Sequence, residues 1–185
     1  VGALSPHVPE NWNPKKAFQL DSLLMSEGFW AEIETVSGLS SGYGRVGRLQ
    51  PLADEAAVAL ARKRAETAKN LWQGQAEWRV TPTTGNDWEP HSPSGWLVED
   101  TLSARLHPRM AASAMVAAIR SKGGEVIVGE ADHTGPVIWA TGLQGLHDLS
   151  ADLGREIGGG VKGQAISLGF AALNAPQLFV DALHI

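Results

Sequence analysis

The 185-residue chain contains no cysteine. That excludes disulfides, thiolate nucleophiles and zinc–thiolate sites in one step. It has no apolar run long enough to span a bilayer, and no basic start leading into an apolar stretch of the kind that marks a secretory signal. It has no internal repeat, no low-complexity segment and no initiator methionine, beginning instead Val1-Gly2-Ala3-Leu4. A processed start or excision from a longer chain is therefore expected. No His-Glu-x-x-His motif occurs, and no Ser-His-Asp set has recognisable local context. The adjacent pairs Asp132-His133 and His147-Asp148 lack metal-ligand spacing and read as a surface turn and a surface helix.

What is present describes a globular chain: 43% hydrophobic and 19% charged residues, with a net charge of −5. The negative balance gives no general attraction to nucleic acid or anionic lipid. The cluster Arg62-Lys63-Arg64 reads as a solvated helix face. A cysteine-free chain fits the cytosol, and a cytoplasmic location is the expectation.

Punctuation by Pro, Gly and Asn sets out the elements. Asn13-Pro14 predicts a helix from Pro14 to Val36, with Phe18, Leu24, Trp30 and Ile33 on its buried side and Gly38 as its stop. Ser40 to Leu49 reads as a short strand with loops. Asp54 opens a second helix to Trp72, with Val58, Ala61, Ala65, Ala68 and Trp72 inward. Strands are predicted at Ala76–Val80 and Trp96–Val98, around a long Pro- and Gly-bearing loop, and a strand or turn at Leu102–Leu106. His107-Pro108 starts a helix that is apolar on most sides and so expected to be buried. Glu125–Val128 and Pro136–Ala140 read as core strands covered on both faces. Leu143–Leu153 reads as a helix with Leu146, Leu149 and Leu153 inward, Val161–Leu168 as a strand, and Leu183–Ile185 as the start of another.

Ala140-Thr141-Gly142 ends an apolar strand and precedes a helix, the place where open α/β sheets bind ligands. The same three residues also suit a tight turn with no ligand. His7 is either a structural loop residue or a group facing a ligand. Tyr43, Arg45 and Arg48 either sit on a solvated loop or reach a substrate carboxylate, for which a guanidinium fork is suited. Trp12, Trp30 and Trp72 fit helix packing. Trp78, Trp88 and Trp96 surround the loop-rich middle, where core packing or a pocket wall would use them.

The order Leu106-His107-Pro108, helix, Gly123-Gly124-Glu125-Val126-Ile127, Val137-Ile138-Trp139-Ala140-Thr141-Gly142, then Val161-Lys162-Gly163-Gln164, resembles the D-amino-acid-oxidase superfamily. It is most similar to the glycine oxidase and sarcosine oxidase branch. Gly2-Ala3-Leu4-Ser5-Pro6-His7 likewise resembles that family's loop beside the flavin ring. The resemblance implies an α+β fold, in which part of an FAD/NAD(P)-binding-type α/β layer is interleaved with a mixed-sheet substrate domain with helices. It places residues 1–8 and 105–157 in the FAD part, and 9–104 and 158–185 in the substrate part. It further implies FAD contacts at Gly2, Ala3, Leu4, Ser5, Val126, Ala140, Thr141 and Gly142. His7, Tyr43, Arg45 and Arg48 are substrate-side candidates.

The chain departs from the family where the phosphates are held. No Gly-x-Gly-x-x-Gly between a strand and a helix occurs, and Gly158-Gly159-Gly160 lacks the leading strand. The residues that grip the ribose and the later arginine for a substrate carboxylate have no counterpart either. The expectation is thus a middle piece of an FAD-dependent oxidoreductase that oxidises a C–N bond of an amino acid or secondary amine. Alone, the piece should bind FAD weakly or not at all. A non-catalytic module paired with a separate flavin-binding chain, and a free-standing ligand-binding domain, are the competing expectations. Exposed sheet edges near Glu125–Val128 would favour a homo-oligomer.

Overall fold

A computed structural model describes residues 2–129, 135–166 and 168–185. Its contacts divide the chain into two units, residues 1–125 with 171–185, and residues 126–170.

In the first unit local signals set the helices. Strand β1 (Ala3–Leu4) is followed by α1 (Pro14–Ser37). Asn13 stands in extended backbone and its side chain accepts from the Lys16 N–H at 3.1 Å. Pro14 begins the helix without needing an N–H, and Gly38 ends it at φ 68°. Leu20, Leu23 and Trp30 form its buried stripe. Phe18, expected on that stripe, is 76% exposed. At about 100° per residue it falls nearly opposite Leu20, so the stripe on α1 is narrower than the apolar residues suggested.

After β2 (Arg48–Pro51), Asp54 caps α2 (Glu55–Trp72) by accepting from the Ala57 N–H at 2.8 Å. Val58, Ala61, Ala68 and Trp72 pack from it into the main core, together with Leu52, Trp78, Val98 and Leu102. Trp72 and Trp78 meet edge to face with centroids 6.2 Å apart. Of the triplet read as solvated, Arg62 and Lys63 are exposed, Arg62 lying over the Trp96 ring at 4.6 Å, and the half-buried Arg64 is bound to Glu10. Both arginines found partners on distant segments that sequence spacing does not reveal.

Strands β3 (Trp78–Pro82), β4 (Trp96–Asp100) and β5 (Ala104–Arg105) lead into α3 (Pro108–Ser121). The His107 side chain accepts from the Met110 N–H to cap α3. This helix is not buried on most sides as expected. Only Ala111, Ala114 and Ala118 are buried, and Met110, Met115 and Ile119 stay exposed. The alanine stripe, spaced three and four residues apart, lets α3 pack closely on α1 along one side only.

Strands β6 (Gln177–Val180) and β7 (Leu183–His184) complete a five-stranded sheet of order β3-β4-β2-β6-β7. β2 and β6 run parallel and the other pairs are antiparallel. A two-stranded antiparallel ladder joins β1 to β5, extended by a bridge between Gly44 and Arg105. With its helices and mixed sheet the chain is α+β.

The second unit contains α4 (Gly142–Asp152), close to the expected helix. Leu146 and Leu149 are half-buried, whereas Leu153, expected inward, is 54% exposed. The strands expected at Glu125–Val128, Pro136–Ala140 and Val161–Leu168 do not form among the described residues. Val128 and Val161 are fully exposed and Ile138 is 91% exposed. A helix closes its hydrogen bonds within one segment, but a strand needs a neighbour's edge, and among the described residues these segments have none. Residue 167, and the pair Asp132-His133, lie outside the described residues.

Candidate functional site

The residues singled out in the sequence fall into three places. Gly2, Ala3 and Leu4 form the first. Ala3 and Leu4 are paired with Arg105 and Ala104, and the Gly2 carbonyl accepts from the Leu106 N–H at 2.7 Å. A Cβ on Gly2 would sit 1.5 Å from the Leu106 carbonyl oxygen, so glycine is required for this backbone approach. Next to the ladder, the Ser5 hydroxyl is buried without a protein partner. His7 is tied through its backbone N–H to Gln19 Oε1 at 2.8 Å.

The second place is a polar row across the large sheet. Register aligns Trp78 with Asp100, Asp100 with Arg48, and Arg48 with Gln177. Arg48 is not on a solvated loop: it is 6% exposed, and its Nε donates to Asp100 Oδ2 at 2.9 Å. Its guanidinium also lies over the Phe179 ring, 5.5 Å from the centroid. Asp100 accepts further from the Leu102 N–H, the Ser103 N–H and the Ser103 hydroxyl. Both ends of the row carry buried polar atoms without a partner, Trp78 Nε1 and Gln177 Oε1. Arg45 is committed elsewhere, donating from Nε to the Thr101 carbonyl at 2.8 Å and from Nη2 to the Gln75 carbonyl at 2.7 Å. The Tyr43 hydroxyl is buried without a partner, and its pKa is pushed up by burial and by the charge of Glu27, against a smaller pull from Arg45.

Where the small ladder meets β6 and β7, a cavity of about 200 Å³ is lined by Gly2, Ala3, Arg105, Gln177, His184 and Ile185, among others. The Gln177 amide donates from Nε2 to the Ala104 carbonyl at 2.6 Å. His184 packs on Phe179 with ring centroids 4.6 Å apart, and its pKa is held below 6.5 by burial and by the Arg48 charge. None of Asp100, Arg105 or Gln177 was anticipated as a site residue. Their partners are distant in sequence, and no local pattern marks them.

The third place is in the second unit. Ala140 and Thr141 are exposed and precede α4, which Gly142 opens at φ 66° with nothing within 4 Å of where a Cβ would lie. Thr141 makes no side-chain cap hydrogen bond, so the first N–H groups of α4 lack the side-chain acceptor that serves the other three helices. Val126 is half-buried. For a dinucleotide cofactor, these residues fit a contact along one edge: an open glycine, an uncapped helix start and exposed backbone. They do not form a pyrophosphate cradle: the Gly-x-Gly-x-x-Gly spacing occurs at Gly42–Gly47 and Gly158–Gly163, and neither leads from a strand into a helix. Among the described residues no cluster could hold a metal ion, and no helix is long and apolar enough to cross a membrane.

No protein-family model matches the chain, and no curated protein sequence matches it. Solved structures do. Glycine oxidase from Geobacillus kaustophilus aligns with 67% of this chain at a TM-score of 0.50 and 14% identity, over 34% of its own length. L-Amino acid deaminase from Proteus myxofaciens, solved in complex with anthranilate, aligns with 66% at a TM-score of 0.50 and 17% identity, over 27% of its length. Iminodiacetate oxidase from Chelativorans sp. BNC1 aligns with 65% at a TM-score of 0.48 and 22% identity, over 34% of its length. Over about two thirds of its length the chain thus has the fold of a segment of glycine oxidase and of L-amino acid deaminase, as the sequence resemblance implied. The particular folds it shares are those of glycine oxidase and the Proteus deaminase, and the chain spans about a third or less of either protein's length.

Proposed function

We propose that this chain is part of an FAD-dependent oxidoreductase that oxidises a C–N bond of an amino acid or secondary amine. The observation that carries the reading is the fold shared with glycine oxidase and L-amino acid deaminase over two thirds of the chain. In this reading residues 9–104 and 158–185 belong to the substrate side, and residues 1–8 and 105–157 to the cofactor side. When bound, FAD supplies the hydride acceptor. The chain's own residues position and shield. Gly2 to Leu4 present a strand fixed by β5, Ala140 to Gly142 offer exposed backbone, and the polar row ties the strands of the sheet together.

The test uses this chain within its full reading frame, purified with FAD. Glycine, sarcosine and a panel of D- and L-amino acids are added anaerobically. One of these amines is expected to bleach the flavin's visible absorption band. Stoichiometric flavin that no amine bleaches would remove the reading. The 185-residue chain by itself is expected to bind FAD weakly or not at all, since it lacks the phosphate fingerprint.

One observation favours a second reading, a module that pairs with a separate flavin-binding chain. Residues 126–170 leave Val128, Ile138, Val161 and Ile166 exposed, an apolar load of the kind that interfaces cover. A separately encoded flavoprotein that co-purifies with this chain, and whose flavin amines bleach only in the complex, would select it.

A further inference from the structure

We propose that α1 pairs with α1 of a second copy of this chain, antiparallel, about a two-fold axis level with Leu23 and Leu24. The helix has two apolar stripes. Leu20, Leu23 and Trp30 are buried in its own fold. Phe18, Met25 and Phe29 stand on the other side, 76%, 63% and 40% exposed. At about 100° per residue these three fall within roughly 40° of one another. Ser22 lies on the same line, so the row Phe18, Ser22, Met25, Phe29 steps by four, three and four residues. That is the repeat of helices that pack along a shared seam. One exposed apolar side chain is ordinary, but three large ones in a row mark a surface that a partner covers.

The row is complementary to itself. Set antiparallel about that axis, Phe18 faces the partner's Phe29, Ser22 faces the partner's Met25, and Lys15 faces the partner's Glu32. The reciprocal contacts follow from the same rotation, which is the form a two-fold dimer requires. A partner of different sequence has no need of this match. Lys15 and Glu32 are exposed and belong to no ion pair among the described residues. Antiparallel pairing gives each an opposite charge, whereas parallel pairing sets lysine against lysine and glutamate against glutamate. Such exposed pairs add little affinity, but they select the register. Gly28 borders the row, and nothing lies within 4 Å of where its Cβ would stand. Glycine is unfavourable in a helix interior, and here it lets a second helix approach that flank closely. From Lys15 to Glu32 the row is about 26 Å long. A strip of that length and one helix wide buries less than the roughly 800 Å² per partner of a standard interface. The dimer is therefore weak, with a dissociation constant of about 1–100 µM. The contact needs no flavin, so it stands or falls apart from the oxidoreductase reading.

Sedimentation equilibrium is run from about 1 to 200 µM on the 185-residue chain and on the same chain within its full reading frame. Both are expected to shift from monomer to dimer mass as concentration rises. Met25→Lys puts a charge at the seam beside the axis and should weaken association by about tenfold or more. Lys15→Glu and Glu32→Lys each set like charges face to face at both ends, and each should weaken it by about threefold at low salt. The double variant Lys15→Glu, Glu32→Lys should regain the parent's association. All three positions are exposed, so circular dichroism melting of every variant is expected to match the parent. If Met25→Lys melts early, the charge-exchange set decides. The proposal is overturned if the full-frame protein stays monomeric, because its own residues then cover the row. It is equally overturned if the folded Met25→Lys protein dimerises like the parent, or if the double variant associates no better than the single ones.

Discussion

Arg48 and Asp100, 52 residues apart, meet inside the sheet at 2.9 Å with their side chains 7% and 0% exposed. The carboxylate takes four donors in all, from Arg48, Leu102 and both the N–H and hydroxyl of Ser103. It thereby ties β4 to β2 and to the turn leading into β5. A buried pair of this kind adds little net stability over a well-packed apolar pair, but removing one partner strands the other. Asp100→Ala is therefore expected to cost about 3–5 kcal/mol in urea unfolding. The double variant Arg48→Met, Asp100→Leu should cost clearly less than Asp100→Ala alone. A single variant as stable as the parent would show that the pair is not held as described.

Glu34 makes the end of α1 sensitive to acid. Its Oε1 accepts from the Ser41 hydroxyl and the Ser41 N–H, both at 2.7 Å, and from the Ser40 hydroxyl at 3.3 Å. The Ser41 hydroxyl is the largest cause of a pKa lowered from 4.5, followed by the Ser41 N–H, with burial opposing. The folded state thus holds the charged form more strongly than the unfolded chain does. This stability is full above the unfolded pKa and is lost as pH falls through the lower folded value. Glu34→Gln should flatten the acid limb of the stability profile below about pH 4.5, the ordinary value, and leave its shape near neutrality unchanged. An acid limb identical in the two proteins would rule this out.

The helix starts at Asn13, Asp54 and His107 were readable because an N-cap acts on residues two or three positions away. The strands were less readable, and for one reason. Trp96–Asp100 forms because β2 and β3 lie on either side of it, while the more strongly β-patterned segments 125–128 and 136–140 find no strand partner among the described residues. Burial failed in the same way. Phe18 and Met110 are apolar, yet both stay exposed. Arg48 was read as solvated or as reaching a substrate carboxylate because Asp100 is not its neighbour in sequence. The row Trp78–Asp100–Arg48–Gln177 exists only in the register of four strands, so no motif could announce it.

Gly47 is expected to be the least replaceable glycine near that row. Its φ is +75°, and a Cβ would lie 2.7 Å from the Asp100 carbonyl oxygen. Its N–H donates to the Ser103 carbonyl at 2.8 Å, and its carbonyl accepts from the Gln177 N–H at 2.9 Å. Gly47→Ala adds left-handed backbone strain to a backbone collision, and should cost about 2 kcal/mol or more. Gly85→Ala is the control: it has a positive φ but open space around the new methyl. Chemical denaturation of both variants checks the ordering, and equal losses would remove the collision from the account.

The β6–β7 hairpin should be improvable by one substitution. Val180 pairs with Leu183 and Phe179 with His184, which leaves a two-residue loop of Asp181 and Ala182. Both have positive φ, 49° and 65°. A two-residue turn with φ above zero at both positions matches the twist of its strands and favours Asp-Gly. Alanine in that region carries a cost of roughly 1–2 kcal/mol that glycine avoids. Glycine also makes the unfolded chain more flexible, which takes back part of the gain. Ala182→Gly is thus expected to stabilise the protein by several tenths of a kcal/mol, up to about 1 kcal/mol. Ala182→Val, branched at Cβ, should destabilise it. Thermal melting of the two variants beside the parent reads both directions, and a destabilising glycine would mean the loop does not hold this turn in solution.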